Sequence, residues 1–160
     1  MTLKHFMHST IYVEGLEQNN WPSGVKGLFM LPEKASPELL IENGTVIKGI
    51  HYGYGVCHTR RFNLSMNGLH IDDHFEDYRE RYMVFNLHPK VTITSSKTSD
   101  KLMTFILDHS DGAALRLDVT GGSSFDILPG AFSVGYMRPV ENKCLRIKIN
   151  SHELESVFSW

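Results

Sequence analysis

Helix is what this sequence has least of: apolar residues almost nowhere recur at the three-to-four spacing that turns one helical face toward a core. No stretch approaches the roughly 18 apolar residues that a membrane-spanning helix needs, so a membrane partner is not expected. Met1 to His8 carries one lysine and no apolar h-region, so no export signal is read there. Basic residues are not in surplus. Lysine and arginine number 16 against 18 acidic residues, a formal charge of −2, and no global positive field draws the chain to nucleic acid. A polyanionic polysaccharide as ligand would require positive charge gathered locally. The only cysteines, Cys57 and Cys144, have no CxxC or metal-finger spacing. They allow one disulfide or two packed thiols, and the second reading is favoured. Internal repeats and low-complexity tracts are also absent.

What is present is the composition of a soluble globular protein, 41% hydrophobic with 11% aromatic and 21% charged, in 160 residues, enough for one domain with a real core. The whole chain, 1–160, is read as that domain. Period-two alternation interrupted by Gly, Asn-Gly, Asp-Gly and Pro predicts many short antiparallel strands. Leu115, Leu117 and Val119 alternate with Arg116 and Asp118, and Leu145, Ile147 and Ile149 alternate with Arg146, Lys148 and Asn150. Each set reads as a strand with one wet face. Asn67-Gly68 predicts a hairpin between the halves of Phe62–Phe75, through a two-residue primed turn. Ser110-Asp111-Gly112 and Asn43-Gly44 predict two more. Gln18 to Gly27, with Trp21-Pro22-Ser23-Gly24, and Pro32 to Pro37 read as surface loops. The expected architecture is an all-β antiparallel sandwich of about a dozen strands.

Nine histidines offer proton transfer or metal ligation. His70, Asp72, His74 and Glu76 share one face of a strand whose other face carries Leu69, Ile71, Asp73 and Phe75. That face is either a metal-like cluster or a solvated surface; the second is favoured and no metal is assigned. His88 falls at a strand end after Phe85 and Leu87, a structural position. His109 and His152 fall near turns, and His5 and His58 show no local partner pattern.

His8 opens His8-Ser9-Thr10-Ile11-Tyr12-Val13-Glu14-Gly15, followed by polar Glu17-Gln18-Asn19. This resembles the strand through which heparinase II/III-like polysaccharide lyases enter their β-sandwich, of the form His-Asn-Thr, apolar, any residue, Val-Asp-Gly, with Ser9 in place of Asn and Glu14 in place of Asp. Later landmarks occur in the family's order. Gly49-Ile50-His51-Tyr52-Gly53-Tyr54-Gly55-Val56 and Cys57-His58-Thr59-Arg60-Arg61 resemble its His-x-Gly-Tyr and Gly-Val-x-His-x-Arg-Arg run. Asn86-Leu87-His88-Pro89 is similar to its His-Leu-His-Pro strand, and Ser133-Val134-Gly135-Tyr136 to a late strand. The likeness spans roughly residues 5 to 150, in short pieces whose shared order carries it.

The resemblance implies β-elimination on a uronic-acid-containing glycan such as a glycosaminoglycan: the carboxylate is neutralised, a base removes the C5 proton, and the O4 leaving group is protonated. In the family an N-terminal α-helical toroid supplies part of that machinery, and this sequence lacks one. The chain is therefore expected to be the sandwich part of a lyase, incomplete on its own, with an acidic polysaccharide and a helical toroid, in cis or trans, as partners. The alternative is a non-catalytic carbohydrate-binding or structural sandwich. The resemblance implies that His8 is the sandwich's catalytic histidine; an edge or core histidine is the competing account. Arg60, on the same strand face as His58 and opposite to Arg61, is expected to contact carboxylate or sulfate, or else to be a solvated arginine. His51 and Tyr54 are expected at the substrate cleft, or in a simple β-bend. Family members often hold a structural metal, but Thr10 stands two residues after His8 and the first loop has no aspartate, so neither metal nor cofactor is assigned. The resemblance also implies a periplasmic or secreted protein.

Overall fold

The computed structural model describes residues 8–18, 22, 24, 34–77, 79–135 and 138–160. The expected loops at Gln18 to Gly27 and Pro32 to Pro37 fall largely outside the described residues, as do His5 and Tyr136. Among the described residues there are twelve strands and no helix. In chain order they are β1 (Ile11–Val13), β2 (Glu38–Asn43), β3 (Val46–His51), β4 (His58–Ser65), β5 (Gly68–Phe75) and β6 (Arg81–Asn86), then β7 (Val91–Thr98), β8 (Leu102–His109), β9 (Ala114–Thr120), β10 (Gly122–Ser133), β11 (Pro139–Ile149) and β12 (Glu153–Ser159). The expected all-β sandwich is the observed architecture.

Two antiparallel sheets make up the sandwich, a small one in the order β1-β6-β11-β10 and a large one in the order β2-β3-β4-β5-β12-β9-β8-β7. Alternation decides which side chains meet between them. Ile11, Val13, Met83, Phe85, Leu145, Ile147 and Ile149 of the small sheet pack against Phe75, Met103, Phe105, Leu107, Leu117, Val119 and Leu154 of the large one. Both strands read from strict alternation present their apolar residues to this core. On the outer face of the small sheet Cys144 is buried with Tyr12 and Val84 beneath Tyr82. Cys144 and the half-buried Cys57 are both free thiols, and burial raises the Cys144 pKa.

The large sheet runs past the cover of the small one. One row of paired residues on its inner face passes from Met103 through Val119, Ser156 and Ile71 to Phe62, Ile47 and Ile41. Along it exposure climbs from 2% at Met103 to 6% at Ile71, 41% at Ile47 and 72% at Ile41. The inner face of β2 and β3 around Leu39, Ile41 and Ile47 is therefore an open, apolar shelf beside the core.

All three expected hairpins form, with one correction. Ser110-Asp111-Gly112 closes β8 onto β9 with Gly112 at φ +92°, the left-handed position a three-residue turn needs. At Asn43-Gly44 the Asn43 side chain accepts a hydrogen bond from the Thr45 amide, 2.9 Å. Between β4 and β5, however, Ser65 pairs with Gly68, so the loop is Met66-Asn67 and neither residue has positive φ. The turn is not the primed type expected from Asn67-Gly68. Gly68 is required for a different reason: it lies in the strand, where a Cβ would collide with the backbone carbonyl oxygen of Phe158 in β12.

Gly68→Ala is accordingly expected to destabilise the fold by about 1–3 kcal/mol, the usual cost of overpacking. Gly44→Ala, where a Cβ meets nothing within 4 Å, should change stability by less than about 0.5 kcal/mol. Urea midpoints of the two variants test this; equal midpoints would remove the steric account of Gly68.

Candidate functional site

Strand pairing assembles a polar network on the inner face where the core gives way to the shelf. His58 of β4 lies between His51 of β3 and Phe75 of β5, and in the next inner-facing row Arg60 lies between Gly49 and Asp73. Because side chains alternate, His51, His58, Arg60 and Asp73 all face inward. Arg61 faces outward, where its Nε lies 3.1 Å from Glu42. Gly49 has no side chain to fill its place, and the space left between Arg60 and Leu39 is an open pocket of about 430 Å³, walled by His51, His58 and Arg60.

Asp73 is the buried centre. Its carboxylate accepts hydrogen bonds from His58 Nε2 at 2.7 Å, Arg60 Nε at 2.8 Å and Arg60 Nη2 at 3.1 Å. Burial alone would raise its pKa, but the hydrogen bond from His58 and the charge and hydrogen bonds of Arg60 outweigh that and hold it below the usual carboxylate value. The tautomers of the two imidazoles follow from their neighbours. The Gly53 amide donates to His51 Nδ1 at 3.2 Å. A neutral His51 then carries its proton on Nε2 and donates to His58 Nδ1, 2.8 Å away. His58 in turn carries its proton on Nε2, toward Asp73. His51 is indeed held neutral: burial, with the nearby His58 and Arg60, lowers its pKa to about 4. Every ring nitrogen of the pair is engaged within the protein.

The other residues expected at the site take distinct places. Tyr54 is 5% exposed and packs edge-on against Phe75; its hydroxyl donates to the Ile11 carbonyl at 2.9 Å. Burial pushes its pKa up to about 12, so it stays a phenol at neutral pH. His8 is exposed, at the start of the segment leading into β1. Arg60 reaches that segment, since its Nη1 donates to the Ser9 carbonyl at 2.6 Å. The structure thus joins Arg60 and His51 through Asp73 and His58, places Tyr54 beneath them, and links Arg60 to the neighbour of His8. His58 and Asp73 are the members that sequence reasoning missed. The available signal was a single aspartate on the apolar face of β5, among Leu69, Ile71 and Phe75.

On the outer face, His70 Nε2 lies 2.8 Å from Glu155 and 3.1 Å from Asp72. His74 stands apart, 3.9 Å from both Glu76 and Glu153, with its ring stacked on His152. The four-residue face considered in the sequence therefore divides into two groups, each a histidine beside carboxylates. Arg61 also pairs with Asp72 there, at 3.8 Å, and His70, Asp72 and Glu155 offer ligand atoms within 4.8 Å of one another.

Residues 4–160 match the family described as heparinase II/III-like, C-terminal. No curated protein matches the chain by sequence. Among solved structures, a heparinase III superposes with a TM-score of 0.65 at 14% identity, over 95% of this chain and 23% of its own. A mutant heparan sulfate lyase HepC from Pedobacter heparinus superposes with a TM-score of 0.63 at 10% identity, over 96% of this chain and 24% of its own. The chain thus spans about a quarter of the length of the structures it resembles.

The network gives the fold a defined acid response. Between pH 6.5, the ordinary histidine value, and about 4, the unfolded chain binds a proton at residue 51 that the folded chain does not, so stability falls as pH drops through that window. The depressed Asp73 adds a loss at still lower pH, as pH falls through its folded value. Melting temperatures from pH 7 to 4 should decline less steeply in His51→Gln than in the wild type. Parallel curves would show that His51 titrates as an ordinary histidine.

Proposed function

This chain belongs to the heparinase II/III-like C-terminal family, and from that membership we propose that it is the β-sandwich part of a polysaccharide lyase cleaving uronic-acid-containing glycans by β-elimination. The observation that carries the reading is an exposed His8 on a segment tied by Arg60 to the rim of an open pocket walled by His51. A group that meets a uronate must be reachable. His8 is exposed. Its role is to assist at the uronate, as an imidazolium beside the carboxylate or as a partner in proton transfer.

The same geometry explains why the sandwich would be incomplete alone. A base for the C5 proton needs an available lone pair, and both nitrogens of His51 are already engaged. Tyr54 holds its proton to about pH 12 and donates it to a backbone carbonyl. The base and the leaving-group acid would then come from an α-helical domain, in cis or trans, that closes over the pocket. His51, Tyr54 and Arg60 form the wall and footing of the substrate cleft. The closed hydrogen-bonding of His51, His58, Asp73 and Arg60 is also what favours a second reading, a non-catalytic glycan-binding sandwich in which these residues only shape the surface.

Two assays separate these accounts. The 160-residue chain, incubated alone with heparan sulfate or alginate, should give no rise in the ultraviolet absorbance of the unsaturated product; a robust signal would show a complete site. Together with a helical lyase domain, His8→Ala should lower kcat by at least about tenfold, the scale of one acid–base or charge-stabilising group, at unchanged melting temperature. Full turnover in His8→Ala would sink the lyase role of His8. A fall in activity that only tracks loss of folded protein would make it a structural residue.

A further inference from the structure

The geometry points to Arg60 as a positioning residue: anchored by Asp73, it grips the Ser9 carbonyl and so sets where His8 stands, and it does not itself bind the glycan. This rests on the reading of His8 given above. The guanidinium is a planar fork with five donors. Here Nε and Nη2 take the two oxygens of Asp73, Nη2 also lies 3.1 Å from Met83 Sδ, and Nη1 donates to Ser9. The Arg60 side chain is 13% exposed and that of Asp73 0%. A glycan carboxylate could recruit Arg60 only by leaving Asp73 charged and buried with one partner fewer, a costly exchange.

The held segment needs such a grip. β1 has three residues and, among the described residues, pairs only with β6, at the edge of the small sheet, and short edges fray unless tied. Besides its backbone bonds along β6, among them the Val84 amide to the Thr10 carbonyl at 3.0 Å and the Glu14 amide to the Glu80 carbonyl at 2.9 Å, bonds that use a side chain tie it as well: Arg60 to the Ser9 carbonyl, the Asn86 amide to Ser9 Oγ at 3.1 Å, and the Tyr54 hydroxyl to the Ile11 carbonyl. Of these, the Arg60 bond joins the large sheet to the residue next to His8. The Thr10 amide then bonds the His8 carbonyl at 3.1 Å, so the turn carrying the imidazole is closed on itself next to the point that Arg60 holds. Asp73, two strands from β3 and at the core margin, thereby determines the placement of an exposed histidine in the segment that leads into the opposite sheet.

Arg60→Lys is the informative variant, because an ammonium keeps a cation beside Asp73 but has no fork to hold Ser9 as well. In ¹⁵N relaxation measurements the amide order parameters of Ser9 and Thr10 should fall from about 0.85 to below about 0.6, while those of β4 and β5 stay constant. With a helical lyase domain, Arg60→Lys should lower kcat about tenfold at unchanged KM, since it acts through His8. Unchanged order at Ser9 and Thr10, or a raised KM with kcat preserved, would overturn the proposal, the latter in favour of a direct glycan contact. Should Arg60→Lys fail to fold, the wild type decides. An Arg60 Nη1 proton, the one donated to the Ser9 carbonyl, protected from exchange by at least about a hundredfold supports the clamp, and exchange at the rate of a free guanidinium refutes it. His8→Ala should leave the Ser9 order parameter unchanged, so failure of the clamp appears in the relaxation data and failure of the lyase reading in the turnover assay.

Discussion

A carboxylate on the inner face of a β-sheet is the constraint around which this domain is arranged. Asp73 stands where its strand otherwise presents Leu69, Ile71 and Phe75 to the interior, and an ionised carboxylate is tolerated there only when its oxygens are occupied. β4 supplies both partners, two residues apart on the same face, and the register that pairs Arg60 with Asp73 leaves His58 within reach. A one-residue slip would turn Asp73 to solvent and carry His74 inward, so the buried pair and the strand register enforce each other. Breaking such a pair by removing one partner typically costs about 3–5 kcal/mol. His51, the Ser9 carbonyl and Met83 are tied to this centre in turn, which makes the inward network a junction between the two sheets.

Much of the fold was legible because its signals are local. The alternations in β9 and β11 fix which face each residue takes, and Phe85 and Leu87 occupy the core places their short motif implied, whereas His88, read as a structural position, is exposed. The hairpin over β4 and β5 was legible too, but its loop was placed one residue too far along. A loop at Asn67-Gly68 would set Arg60 opposite Phe75; the actual loop, Met66-Asn67, sets it opposite Asp73. In an antiparallel pair a one-residue error in the turn moves every partner by two, and that hid the central ion pair. His58 escaped for a related reason: its partners, 7 residues before and 15 after, become neighbours only once β3, β4 and β5 are in register. The pattern that placed His58 and Arg60 on one face was correct, and nothing local showed how far into the interior that face reaches. Tyr54 follows a glycine bend, which gives no sign that its ring will enter the core.

The site lies where the two sheets differ in width. Toward β9 and β8 the large sheet is sealed by the small one and its inner rows are apolar. At β5 and β4 these rows become polar, and at β3 and β2 they are apolar again but uncovered, with Leu39, Ile41 and Ile47 exposed. The polar residues thus occupy the margin between a dry core and an open shelf, where they can be desolvated on one side and approached from the other. Gly49 matters at that margin for what it omits, since a side chain there would fill the space over which the pocket opens.

Asp73 also has an effect at longer range. Its negative charge lies within hydrogen-bonding distance of the Arg60 guanidinium, so the two opposite charges offset one another. Long-range steering depends on the uncompensated charge that a surface shows to an incoming polymer, and here the most prominent cation of the pocket is cancelled from within. With a formal charge of −2 on the whole chain, the sandwich has little Coulombic pull on a polyanion. What this pocket offers a ligand is therefore shape and hydrogen-bond direction at contact distance, which ionic strength alters little.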